Sequence, residues 1–162
     1  MTYNILSMTE NNAEAFMIQC YHFWHDNYVE KRYDINDPDW SFLQNSFEFQ
    51  CQDYVYHSLS AFLRTLYLCS SCPLKSLKHQ NQEPCCQERF ILGLIGSIQF
   101  HDDETTKYCL THLAKMEELP IVEIAAFELA FALKCAGYMI MPISLYQLRE
   151  SIKAANPLPK TH

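Results

Sequence analysis

Ile121-Val-Glu-Ile-Ala-Ala-Phe-Glu-Leu-Ala-Phe-Ala-Leu-Lys134 is the stretch that decides the fold, with Pro120 just before it and Gly137 just after. Proline suits the first turn of a helix and glycine the residue past its end, so the run predicts a helix over 120–135. Its apolar residues cover nearly every angle of a 3.6-residue period, the mark of a central, buried helix. At 100° per residue Glu123 and Lys134 share a side, while Glu128 lies about 140° from Glu123. Glu128 is therefore a candidate for a carboxylate at a buried or half-buried position, where burial would raise its pKa. The plainer alternatives are a rim position or an ion pair with Arg64 or Arg89.

Working outward, the same period recurs along the chain. Ala13, Phe16, Met17, Cys20, Trp24 and Tyr28 make one stripe and predict a helix over 11–30. An acidic turn follows, and Asp37-Pro38 reads as a cap with proline at the first helical position. From there to about 68, Trp40, Leu43, Phe47, Cys51, Tyr54, Val55, Leu59, Phe62, Leu63 and Leu66 keep one face. Residues 69–84, bracketed inside by Pro73 and Pro84, read as a polar loop. A third helix is expected over 86–100, where Gly93 and Gly96 suit close packing against another helix. Asp102 and Asp103 cap a fourth ending near 118. Pro142 opens a sixth to about 155, and 157–162 form a tail. The expectation is one all-α domain over 1–162, a bundle of five to six helices around the second and fifth.

Glycine content agrees. The chain has 162 residues and three glycines, Gly93, Gly96 and Gly137, where average usage would give about eleven. Tight hairpins and glycine-rich phosphate loops both need more. Net charge is −7, with twelve Lys and Arg against nineteen Asp and Glu, which disfavours direct nucleic-acid binding. The first residues carry neither a basic start nor a long apolar run, and charges interrupt 119–146, so no signal peptide or membrane span is expected. Eight cysteines in such a chain read as reduced thiols in the cytoplasm.

Motifs that could carry chemistry are incomplete. Cys69-Ser-Ser-Cys72 followed by Cys85-Cys86, with His79 between, invites a zinc site of Cys69, Cys72, His79 and Cys85 or Cys86, but adjacent cysteines seldom bend back onto one ion. As a redox pair, Cys69 and Cys72 sit at the wrong end of a helix dipole. His22, His25 and Asp26 share a helical face that suits two metal ligands or a His–Asp pair, with a solvated polar edge as the plain reading. No Glu-x-x-His or His-Glu-x-x-His completes a metal motif. His101-Asp102 resembles the His-Asp pair of the helical HD phosphohydrolases, yet no aspartate follows Asp103 to supply the distal ligand. Helix capping accounts for the same letters. Gly93 to Ser97 is neither a nucleophile elbow nor a Walker loop. No cofactor is implied.

Charge is distributed unevenly. Residues 1–60 hold nine acids against Lys31 and Arg32, a net −7 equal to that of the whole chain. They also hold thirteen of the twenty-two aromatics, more than one stripe per helix can bury, with Tyr21, Tyr28, Tyr33, Tyr54 and Tyr56 among the surplus. Tyrosine and tryptophan anchor interfaces, and acids steer basic partners. The expected function is a non-enzymatic binding protein that masks a basic protein partner through Asp26, Glu30, Tyr33, Asp34, Asp37 and Asp39. In general properties the chain is similar to bacterial immunity proteins, small acidic inhibitors of nuclease toxins. A homodimer is a further possibility, and a zinc or metal-dependent protein using the cysteine loop is the alternative.

Overall fold

The computed structural model describes residues 12–31, 40, 53–75 and 85–155. Among the described residues 80% are helical, in six α-helices, and there is no strand. The protein is an all-α helical bundle. Helix α1 (Asn12–Trp24) runs directly into a π-helical turn, His25–Glu30. Then come α2 (Asp53–Cys69), α3 (Cys86–Gln99), α4 (Asp103–Leu113), a 3-10 turn at Met116–Glu118, α5 (Leu119–Cys135) and α6 (Leu145–Ala155). None is long and apolar enough to cross a membrane.

Caps explain where the helices begin and end. After α3, Asp102 N donates to Ser97 O (2.8 Å) and His101 N to Ile98 O (3.2 Å), the paired closure of a Schellman motif. The same closure ends α5, where Tyr138 N donates to Leu133 O (2.7 Å) and Gly137 N to Lys134 O (3.0 Å). Gly137 takes the required positive φ, +87°. Asp102 then caps α4 by accepting from Thr105 N. The fourth helix stops at Leu113 rather than near 118, because its exit pairs with the chain after α2. Ser71 N donates to Leu113 O and Lys115 N to Cys69 O, closing a bridge between Ser70 and Ala114. The sixth starts three residues after Pro142, where Ser144 and Gln147 exchange backbone-to-side-chain hydrogen bonds (3.0 and 3.1 Å) in a capping box. Trp40, expected inside the second helix, is not helical. It stacks on Tyr56 and donates its Nε1 to Ser60 Oγ at 2.6 Å.

The centre of the bundle is α3, in place of the expected second and fifth helices. Every residue from Phe90 to Gln99 is buried, and α1, α4, α5 and α6 all pack on α3 while α2 lies along α5. The two glycines allow this. A Cβ at Gly93 would lie 3.3 Å from Cys109 Sγ and from Leu148 Cδ2, so α4 and α6 approach there. At Gly96 it would lie 3.3 Å from Ile140 Cγ2 and from the carbonyl oxygens of Ile140 and Met141. That neighbour is the extended segment after α5, not a helix. Gln99 fixes the segment from inside the core. Its amide donates to Ala130 O (3.2 Å) and Tyr138 O (2.9 Å), and its oxygen accepts from Ile140 N (2.7 Å).

Candidate functional site

Helix α5 is apolar all round but not buried all round. Its inner face is Val122, Ala125, Ala126, Leu129, Ala130, Ala132 and Leu133. Small alanines let it lie close against α2 and α3. Its larger side chains point the other way: Ile124 and Phe131 are each 62% exposed, Ile121 54% and Phe127 45%. A helical wheel places Ile124, Phe127 and Phe131 on one stripe, with Glu123 and Lys134 along one side and Glu128 along the other. Glu128 is thus exposed, as is Glu123: it takes the rim position rather than that of a buried carboxylate. Periodicity could not choose the inner side, because both sides are apolar; side-chain size chose it.

Beside this stripe lies a shallow cavity of about 110 Å³ lined by Ile98, Gln99, His101, Phe127, Ala130, Phe131 and Lys134. His101 occupies the left-handed region with φ 59°, at the position where a Schellman motif favours glycine. A non-glycine residue there carries backbone strain, and such strain gathers at functional surfaces. Its neighbour Asp102 has its carboxyl held below the usual range by the Thr105 hydroxyl and then the Thr105 backbone N–H. The pair that resembles an HD motif is therefore a helix end followed by a helix cap.

The other sequence candidates are placed as follows. Asp26 is half-buried and Glu30 exposed on the π turn. Tyr33, Asp34, Asp37 and Asp39 lie outside the described residues. Tyr21, Tyr28 and Tyr56, expected as surplus for display, are buried, and so are Trp24 and Trp40; Tyr54 is exposed. The helices face one another on more than one side, so a single stripe underestimates what each can bury. His22 and His25 do not form a solvated edge. His25 is buried, with Nε2 against Leu74 O at 2.9 Å. His22 Nε2 meets Glu88 Oε1 at 2.6 Å, and Glu88 is 2% exposed.

Glu88 is the buried carboxylate that sequence reasoning missed. Its second oxygen accepts from Cys85 N at 3.1 Å, at the start of α3. The Cys-x-x-Glu spacing from Cys85 to Glu88 resembles a capping box and was the available signal. The partner His22 is 66 residues away, which no local pattern reveals.

The cysteine loop is not assembled as a metal site among the described residues. Its described members, Cys69, Cys72, Cys85 and Cys86, do not join a group of three donors, and His79 lies outside the described residues. Cys69 is buried near Glu118, whereas Cys72 is exposed. Burial pushes the Cys85 thiol up to about 11, so a metal ion there would have to displace its proton. The chain matches no family model, no curated protein and no solved structure.

Proposed function

We propose that this chain is a non-enzymatic binding protein that masks the basic surface of a protein partner, docking it through the outward face of α5. The observation that supports this reading is the inverted distribution on α5, small residues inward and Ile124, Phe127 and Phe131 outward. Burying the exposed half or so of each of these side chains would contribute roughly 1–2 kcal/mol to association. Glu123 and Glu128 flank the stripe, Lys134 joins Glu123 on its side, and the chain carries −7 overall, so the fitting partner has an apolar centre and a mainly cationic rim. A nuclease toxin is the cationic partner to test first. The acids at Asp26, Glu30, Asp34, Asp37 and Asp39, with Tyr33 among them, supply steering charge in this reading.

A photo-reactive residue at Phe127 identifies the neighbour in the source cells, and binding is then measured with that protein purified. Phe131→Asp is expected to speed dissociation at least tenfold, while charge reversal at Asp34, Asp37 and Asp39 slows association and flattens its salt dependence. Three results overturn the proposal: binding untouched by Phe131→Asp, a neighbour without net positive charge, or a dimer of this chain that Phe131→Asp dissolves.

A further inference from the structure

The π turn holds a second feature, independent of the α5 face. Among the described residues, one group of donors converges: His25 Nδ1 and one carboxylate oxygen each of Asp26 and Glu30 lie within 4.8 Å of one another. Winding makes this possible. In an α-helix residues five apart diverge by about 140°, whereas a π turn closes its hydrogen bonds over five residues, as Lys31 N does onto Asp26 O at 3.2 Å. Glu30 is thereby carried round to His25.

The state of the His25 ring is the second, independent observation. His25 is 5% exposed, and its Nδ1 is buried without a hydrogen-bond partner. The nearest carboxylate atom, Glu30 Oε1, is 3.8 Å away, too far for a hydrogen bond. The other nitrogen, Nε2, lies 2.9 Å from the carbonyl oxygen of Leu74. A carbonyl can only accept, so Nε2 carries the proton, and in that tautomer of the neutral ring the Nδ1 lone pair faces the two carboxylates. A carbonyl gripping the distal nitrogen is the usual way a protein fixes a metal-binding histidine.

We propose that His25, Asp26 and Glu30 form a binding site for one divalent transition-metal cation of the zinc type. One imidazole and two carboxylates neutralise a dication, and an imidazole donor argues against magnesium or calcium. Bonds of about 2.1 Å would set tetrahedral donors about 3.4 Å apart, so the 3.8 Å between His25 and Glu30 closes by a few tenths of an ångström. Glu30 is exposed, which leaves the solvent side for a water as fourth ligand. The cation would tie the end of α1 to Leu74 through His25, a role that requires no catalysis.

The test uses the full chain, reduced and stripped with a chelator, titrated with Zn²⁺ and Co²⁺. His25 is a core residue, so Glu30→Gln and Asp26→Asn carry the test, with far-UV circular dichroism and metal-free melting confirming that both fold. The expected result is one cation per chain and a Co²⁺ spectrum without thiolate charge transfer. Binding should persist when Cys69, Cys72, Cys85 and Cys86 are all replaced by serine, and weaken at least about tenfold in each carboxamide variant. The proposal is overturned by a charge-transfer band that vanishes with the cysteines, or by affinity unchanged in both carboxamide variants. It is equally overturned by no binding at millimolar metal.

Discussion

Replacing Gly96 by alanine should destabilise the protein clearly more than replacing Gly93, although both sit in the same buried helix three residues apart. Each substitution gains about 0.8–1.0 kcal/mol of helix propensity. What differs is the neighbour that a new Cβ meets. At Gly93 the contacts at 3.3 Å are Cys109 Sγ and the end of the Leu148 side chain, which can turn aside. At Gly96 two of the three contacts at 3.3 Å are carbonyl oxygens, those of Ile140 and Met141. Those carbonyls cannot move alone, because Gln99 holds Tyr138 and Ile140 and Met141 N donates to Glu14 Oε1 at 2.6 Å.

Overpacking costs about 1–3 kcal/mol. Assigning the low end to Gly93 leaves that variant near wild type, within about 0.5 kcal/mol. Assigning the upper half to Gly96 leaves a net loss of about 1–2 kcal/mol, or about 3–6 °C in Tm for a chain of this size. Urea unfolding followed by circular dichroism measures both, provided the slope with denaturant is unchanged. Gly96→Ala as stable as Gly93→Ala would refute the claim that a pinned backbone, not side-chain crowding, makes glycine necessary at 96.

Three further perturbations test the surroundings of this core. Gln99→Leu keeps the volume but removes the hydrogen bonds to Ala130 O and Tyr138 O and the acceptor of the buried Ile140 N, and should cost about 1–3 kcal/mol in the same unfolding assay. His101→Gly relieves the left-handed strain and should stabilise by about 1 kcal/mol; a loss of stability would mean that the imidazole makes a compensating contact. Asp102→Ala removes the α4 cap and should cost about 1 kcal/mol at neutral pH. Since the folded carboxyl titrates below its unfolded value of about 3.9, that contribution is full above the unfolded pKa and lost as pH falls through the folded one. The difference between Asp102→Ala and wild type should therefore shrink in acid and be constant from pH 6 to 8.

Helix identity was legible wherever a local rule applied. The ends of α5 follow from Pro120 and Gly137, because caps involve residues next to one another in the chain. Ser144 and Gln147 are equally local, and their capping box rather than Pro142 sets the start of α6. Non-local facts were not legible. The exit of α4 depends on pairing with residues 69–71, and the Glu88 carboxylate depends on His22. The π turn escaped for a different reason: α and π winding share the same apolar stripe over six residues, so Trp24 and Tyr28 are buried under either. Only the positions of polar residues between them distinguish the two. His22, His25 and Asp26 were thus grouped by α-helical spacing, and Glu30 was left out of the donor set.

The outward face of α5 is not something the fold itself requires. Its inner alanines are needed, because larger residues at Ala126 or Ala130, each about 1% exposed or less, would push α5 off its neighbours. No such demand acts on Ile124, Phe127 or Phe131, which spend about half their surface or more in water. At exposed helical positions lysine or glutamate would be better by a few tenths of a kcal/mol each through propensity alone, and would not invite association. The chain thus forgoes helix stability and solubility at three aligned positions while it keeps glutamates at both edges. A folding explanation predicts the reverse arrangement, with large residues inside. The proposed partner would account for both the apolar centre and the glutamates at its edges. It also requires that Ile124→Lys with Phe131→Lys leave the fold at least as stable as wild type while binding is lost.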